Sequence, residues 1–389
     1  MTSSDGAAAP SPRRVCFFGT YNREYTVTRL LLQACRAAGI EVVECHRPLW
    51  EQTRTKLAAY FGARSLLRLL RAYVRQARAL SRARRTLPQM PLYLVGFNGQ
   101  LDCLLLRWLL RREKAAIVFA PLVTLTETLV DDRGVFDVHS LRAILARALD
   151  RASLSVATRV IIDAEAHRQH LIDSFGLNPD RVSTWHIGAD PLVFKPAPLP
   201  EGRRRVRVLF YGTFLPLHGL PTILAAAALL REQPDIEFVL VGDGPERGAT
   251  AAQARDAGLR QIHFHDWVSY DALGDMIAAA DICLGVFGVT PKAQMVIPNK
   301  VFQAAMVGRP VITADSPAVR EVFIHGETAW LCPAGNAEAL ARGVQALSAD
   351  VGLRQRLGYQ AGALMAERFS AAAQGRRLAE ILCATTAQG

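Results

Sequence analysis

Short apolar, β-branched runs alternate with longer stretches of helical periodicity along almost the whole chain, the pattern of strand–helix–strand units on parallel sheets. In the first half, strands are expected at 14–19, 40–46, 91–97, 115–121, 159–164 and 183–188. A second series follows at 205–212, 236–242, 261–265, 282–287, 310–314 and 329–333, again with helices between. The two series are separated by "FKPAPLPEGRRR", where proline, glycine and charge concentrate as in a linker. The pattern predicts an α/β protein of two doubly wound parallel-sheet domains facing across a cleft. Residues 14–195 form the first domain, 196–204 the linker and 205–368 the second. Residues 1–13 are expected to be disordered, and a carboxyl-terminal helix in 369–389 is expected to cross back to the first domain. The length of 389 residues, half of them hydrophobic, suits two cores of ordinary size. Sheets of this kind bind ligands at the carboxyl ends of their strands.

Charge sharpens one element. The net charge of +11 comes from 46 basic and 35 acidic residues. Ten basic residues fall between Glu51 and Asp102, a stretch with no acidic residue. Within a helix expected over about 52–86, Arg64, Arg68, Arg71, Arg75, Arg78 and Arg82 recur at steps of three and four and so form one stripe. Two readings stand. The stripe can rest on an anionic membrane surface, or it is a solvated face on a helix whose leucines pack into its own domain. Without interleaved exposed aromatics or a surrounding recognition module, it argues against nucleic acid.

No apolar run resembles a signal-peptide core or is long enough to span a bilayer. A cytoplasmic protein is expected, peripheral on the inner face of the membrane if the stripe binds lipid. The seven cysteines are scattered, mostly in apolar runs, as reduced core thiols rather than disulfides or metal ligands. His167 and His170, and His263 and His265, lack a clear third ligand and are expected to be core or surface residues; no metal site is expected.

Three loops carry candidate chemistry. "VLFYGTFLPLHGLPTI" reads as strand, loop and helix amino terminus, a geometry that offers backbone N–H groups to phosphate. "FVLVGDGPERG" places Gly242 and Gly244 after a strand, but its spacing is not that of a dinucleotide turn. In "VIPNKVFQAAMVGRPVI", Pro298 is expected at the first helical position, with the amides of Asn299 and Lys300 and the Lys300 ammonium at a helix start. Gln303 follows one turn on. Gln100 and Asp102 open a helix after Asn98, which reads as its cap, while Glu321 reads as a helix or ion-pair residue.

Taken in order, "GTFLPLHG", "VLVGDGPE", "DWVSYDALGDMIAAADICLGVF" and "PNKVFQAAMVGRPVITADSPAVREVF" resemble the carboxyl half of family 4 retaining glycosyltransferases, which have the GT-B fold. The amino half is similar to one branch of that family through "FGTYNREY", "VGFNGQLD", "LVDDRG" and "IIDAEAHRQH". The resemblance implies transfer of a sugar from a nucleotide-diphosphate donor to a hydroxyl, with no cofactor or metal; the sequence has no DxD triplet. It places Gly212, Thr213, His218, Gly219, Gly242, Gly244, Val268, Pro298, Asn299, Lys300 and Gln303 at the donor. Gly19, Tyr21, Gln100 and Asp102 fall at the acceptor, and Asp132 and Arg133 at the reaction centre, although a structural salt bridge accounts for that last pair equally well.

The implied acceptor is a lipid-linked saccharide or cell-surface glycan precursor. A natural-product acceptor, or a catalytically weak binding module at a membrane surface, is the alternative. Departures from the family concern charge. Thr213 and His218 stand where many members carry arginine and lysine, and Met295 and Gln303 where they carry two glutamates. The histidine that often follows the fourth strand is also missing from "IVFAPLV".

Overall fold

The structure, a computed structural model, describes residues 12–49 and 63–386. Residues 1–11, the expected start of the basic helix with Arg54 and Lys56, and 387–389 lie outside the described residues. In the amino half, β1 (Arg14–Gly19), α1 (Thr26–Ala37), β2 (Glu41–His46), α2 (Ala63–Thr86), β3 (Leu92–Val95) and α3 (Gln100–Leu109) are followed by β4 (Ala116–Phe119), α4 (Leu141–Val156), β5 (Arg159–Ile162), α5 (Glu165–Phe175) and β6 (Val182–Thr184). The carboxyl half contains β7 (Val206–Tyr211), α6 (Leu220–Leu229), β8 (Ile236–Val241), α7 (Arg247–Asp256), β9 (Ile262–His265), α8 (Leu273–Ala278) and β10 (Ile282–Leu284). It continues through α9 (Pro291–Met295), α10 (Asn299–Val307), β11 (Val311–Ala314), α11 (Pro317–Arg320), β12 (Trp330–Cys332), α12 (Ala337–Ala349), α13 (Val351–Arg368) and α14 (Ala371–Thr386).

The strands form two parallel sheets, ordered β2-β1-β3-β4-β5-β6 and β12-β11-β10-β7-β8-β9. Each is covered by helices on both faces, as parallel sheets require. Every expected strand is present, but five end two to four residues early at the carboxyl end; "ICLGVF" leaves the ladder after Leu284 and "PLYLVGF" after Val95. The apolar residues beyond these ends are loop residues lining the cleft, where burial rather than pairing keeps them apolar. Strand order reverses between β1 and β3 in one sheet and between β7 and β10 in the other, so the two crevices that bind ligands in such sheets open after Gly19 and after Gly212.

Alternation along the strands divides the core. Phe17, Leu92, Leu94 and Val118 face α1 and α14, while Phe18, Tyr93, Val95 and Phe119 face α3 and α4 with Cys103 and Leu106. The tail packs α14 against α1: a Cβ at Gly375 would lie 2.9 Å from the backbone of Ala34 and Ala38. The Gln374 amide donates to the carbonyls of His186 and Ile187, and Arg159 donates to Thr385. The linker is held to the second domain, Ala197 donating to the Val307 carbonyl and Arg309 to that of Pro198.

Glu321, expected to serve a helix or an ion pair, does both across the domain boundary. Its carboxylate accepts from the free amides of Glu165 and Ala166 at the start of α5 (2.7 and 2.8 Å) and from His186 Nε2 (2.8 Å). Burial alone would raise its pKa, but the hydrogen bonds from His186 and from the two amides bring it below the usual glutamate value. A depressed carboxylate stabilises the fold above its unfolded pKa, near 4.3, and loses that contribution as pH falls through its folded value. Glu321→Gln is therefore expected to cost about 1–2 kcal/mol near neutral pH, seen as a melting temperature lower by a few degrees. The gap to wild type should close in scans taken toward pH 3; a gap unchanged by pH would show that the charge is not what matters.

Candidate active site

The crevice after β7 gathers the donor-side candidates. Lys300 is the second residue of α10, and its ammonium is buried 3.9 Å above the ring of Phe210 with no hydrogen-bond partner. The Tyr211 hydroxyl donates to its backbone carbonyl (3.1 Å), fixing the start of α10 to the end of β7. Gly212 stands opposite: a Cβ there would lie 3.2 Å from Lys300 Nζ and 3.7 Å from His218 Cε1. His218 closes a short turn before α6 and is buried edge-on to Phe210; its ring hydrogen-bonds the Thr213 backbone and leaves Nδ1 without a partner. Burial pushes the pKa of Lys300 well down, and burial together with the Lys300 charge does the same to His218. Two unpartnered nitrogens buried side by side are the signature of a group made to receive an acceptor.

Pro298 stands one position earlier than expected, at the N-cap of α10 with an extended backbone (ψ 138°). Asn299 and Lys300 are the first two helical residues, so their amides lack intrahelical acceptors and the positive end of the helix adds to the same point. Gln303 is buried on the next turn, and Met295 is half-buried at the end of α9. Thr213 is exposed at the lip and Gly219 caps α6.

Gly242 has a different explanation. It takes φ 134°, and a Cβ would collide with the Gly212 carbonyl, so the glycine lets the β8 loop lie directly on the β7 loop. Gly244 packs likewise against Phe214, whose amide donates to the Asp243 carbonyl (2.9 Å). Val268, half-buried after β9, lines a groove of about 390 Å³ with Val239, Val241 and Met276 and with the exposed His263 and His265.

On the amino-domain side, the four acceptor candidates are already engaged. Asp102 is buried and accepts from the Thr20 amide (2.7 Å) and hydroxyl (2.9 Å) and from Tyr73 of α2 (3.1 Å). Burial pushes its pKa up to about 6, against the hydrogen bonds from Thr20 and Tyr73. Gly19 is required by this carboxylate, which a Cβ would approach to 2.6 Å. Tyr21 is buried and donates to Glu44 (2.7 Å), and Gln100 reaches Asp150 (3.4 Å). The expected capping of α3 by Asn98 does not occur: Gly99 holds the N-cap, without a side-chain bond, and Asn98 takes φ 62°.

Asp132 ends a π-helix (Glu127–Asp132). Its side chain is fully buried; Oδ2 meets Lys292 Nζ of α9 across the cleft at 3.3 Å, and Oδ1 has no partner. Arg133 follows, its Nε also unpartnered. Sequence reasoning passed over Lys292 and over Glu246, whose pKa is raised by burial and by Asp132. It also missed the arrangement around His167, which is buried between Glu127 (2.8 Å) and Asp163 (2.7 Å). Burial works against the charge of His167, but the two carboxylates raise its pKa to about 10. The i,i+4 spacing in "DAEAH" was the available signal for half of this trio; nothing local announced Glu127. Among the described residues, no group of three or more His, Cys, Asp and Glu is placed to hold a metal ion.

Arg68, Arg71, Arg75, Arg78 and Arg82 are exposed along α2, whereas Arg84, outside the stripe, is buried and paired with Glu113. The side chain of Arg64 lies outside the described residues. The neighbouring leucines do not pack into the domain: Leu66, Leu67, Leu70 and Val74 are 40–52% exposed. Tyr73, Leu80 and Arg84 anchor the helix instead. On the adjacent helices, Leu101 and Trp108 of α3 and Leu141, Ile144 and Leu145 of α4 are exposed as well. Each of these helices runs back from the carboxyl ends of the strands, so most of the exposed apolar residues stand at the cleft end of the layer.

With this geometry in place, the comparisons with known proteins are informative. The family model described as glycosyl transferases group 1 matches residues 205–350. The chain is 26% identical over 250 residues to alpha-D-kanosaminyltransferase of Streptomyces kanamyceticus, covering 61% of this chain and 63% of that protein. It is 30% identical over 238 residues to the D-inositol 3-phosphate glycosyltransferase of Streptomyces bingchenggensis, covering 56% and 50%. The matched stretches thus span between half and two thirds of these relatives. The structure of Anabaena Alr3699/HepE in complex with UDP-glucose superposes over 95% of this chain and 99% of that one, with a TM-score of 0.67 at 15% identity. The carboxyl domain carries the group 1 signature, and the chain as a whole is a GT-B-fold protein related to the family 4 glycosyltransferases.

Proposed function

We propose that the protein transfers a sugar from a nucleoside diphosphate sugar to a hydroxyl acceptor with retention of anomeric configuration. One observation carries this reading: the Lys300 ammonium and the His218 ring, each with a buried unpartnered nitrogen, converge on Gly212 beside the free amides of α10. A diphosphate satisfies all of them at once, and charged hydrogen bonds in so dry a site are strong. The bond from the anomeric carbon to the β-phosphate oxygen breaks as the acceptor oxygen bonds to that carbon, and the acceptor proton passes to the leaving diphosphate. The protein's part is to hold the diphosphate and absorb the charge that develops on it.

Gln303 weakens this grip without removing it. A carboxylate on ribose hydroxyls makes hydrogen bonds worth about 1.5–3 kcal/mol, an amide oxygen about 1, so the difference is about tenfold or less in affinity. Met295, in place of the other glutamate, leaves the donor sugar to be recognised by other groups.

For the acceptor, the relative named for D-inositol 3-phosphate favours a small polyhydroxylated ring over a lipid-linked saccharide, while the kanosaminyltransferase is named for the sugar it moves. A second reading, in which the protein works at an anionic membrane surface on an amphiphilic acceptor, rests on the exposed apolar residues at the cleft end of α2, α3 and α4 beside the arginine stripe. Each basic side chain near such a surface adds about 1 kcal/mol.

In thermal-shift measurements, at least one of UDP, GDP, ADP and TDP should raise the melting temperature, and Lys300→Ala should abolish the shift; silence towards all four nucleotides sinks the transferase reading. Gln303→Glu should tighten binding of the active nucleotide by about tenfold or less. The depressed pKa of His218 in the free site must rise when a diphosphate arrives, so between the two values binding takes up a proton and affinity increases as pH falls. Titration calorimetry in buffers of different ionisation enthalpy should register that uptake in the wild type and a smaller one in His218→Asn, where Lys300 alone remains to gain a proton. For the membrane reading, vesicles containing phosphatidylserine should sediment the wild type but not a variant with Arg68, Arg71 and Arg75 changed to glutamate. Equal sedimentation of both would return the stripe to a solvated face.

A further inference from the structure

The phosphate crevice holds Lys300 and His218, two basic groups whose charged forms burial opposes. A third basic side chain is close by. Lys292 projects from α9, between Thr290, which caps that helix, and the start of α10. Helix α9 packs against the short turn that ends in His218, so Lys292 stands beside the crevice, and its side chain is only 12% exposed. Its ammonium meets Asp132 at 3.3 Å across the cleft. Asp132 is an incompletely satisfied partner. Its Oδ1 is buried without a hydrogen bond, and its charge helps to raise the pKa of Glu246, a second carboxyl brought from the donor domain with a buried unpartnered oxygen of its own. A buried carboxylate beside a like charge is costly unless a cation stays with it, so the Lys292 pair is what makes the closed cleft tolerable before donor arrives.

We infer that Lys292 is the second diphosphate cation of this protein, parked on Asp132 until donor binding draws it away. This rests on the transferase reading and deepens it by naming the residue that replaces the missing basic groups of the first donor loop. A diphosphate offers more negative charge than one carboxylate, and from α9 the flexible lysine stem exchanges one for the other without moving the backbone. The exchange has a second effect. It leaves Asp132, now without its cation, as a bare acceptor in the cleft, ready for a hydroxyl. Donor therefore binds first, and the acceptor meets a carboxylate that is free only when the donor is in place.

The test uses the full chain and the same four nucleoside diphosphates, with the nucleoside of whichever one binds as control. Lys292→Met is expected to weaken the diphosphate tenfold to a hundredfold and leave the nucleoside unchanged at temperatures where the variant is folded, while Lys292→Arg restores most of the affinity. Asp132→Asn removes the competitor and is expected to tighten the diphosphate several-fold while lowering turnover. Unchanged diphosphate affinity in Lys292→Met overturns the inference and leaves the transferase reading standing. Diphosphate and nucleoside weakened alike, or Asp132→Asn weakening the diphosphate as Lys292→Met does, would make the pair a strut between domains and overturn it equally. A wild type that binds none of the four removes both readings together.

Discussion

The buried ammonium of Lys300 is the constraint around which the donor domain is arranged. An amine taken out of water without a partner costs several kcal/mol, and the Phe210 ring beneath it returns only about 0.5–2 kcal/mol. The remainder is met by packing. Tyr211 ties the start of α10 to β7, and Val301, Phe302, Ala304, Ala305 and Val307 bury the whole helix against the sheet. Gly212 and Gly242 contribute by having no side chain, since the loops after β7 and β8 touch where Cβ atoms would be. A site that stores unmet hydrogen-bonding capacity in this way is stable only because its surroundings cannot relax to satisfy it.

Much of this could be read from the sequence because it is local. A strand that runs into glycine, a short loop and a helix start has one shape, and "VIPNKVFQ" specified its helix to within a residue. Periodicity placed all twelve strands, and erred mainly at their carboxyl ends, where apolar residues continue past the last ladder bond because the cleft buries them too. The basic stripe was also legible, but whether its leucines were inside or outside was not, since that depends on how far α2 stands off the sheet.

What escaped the sequence is non-local. Asp102 looked like an amino-terminal helix residue open to ligand, and proved to be a buried acceptor joining the β1 loop to α2 through Thr20 and Tyr73. Glu127 and His167 are 40 residues apart, and Asp132 and Lys292 are 160 apart on different domains, so no spacing rule joins either pair. The family resemblance drew attention to positions where charge is missing, Thr213 and Met295, and away from Lys292, where charge is present without precedent in the motif.

The helix α10 links two parts of the molecule that are otherwise remote. Its amino terminus stands at Gly212 and His218, while its last turn receives the linker through the Val307 carbonyl and Phe302 lies 5.0 Å from Phe369, where the tail leaves for the first domain. Both passages of the chain between domains thus rest on one rigid rod about 13 Å long whose other end is the anion site. The anion site and both interdomain passages are therefore opposite ends of one helix, so a substitution that displaces α10 at one end is carried to the other by the same rigid element.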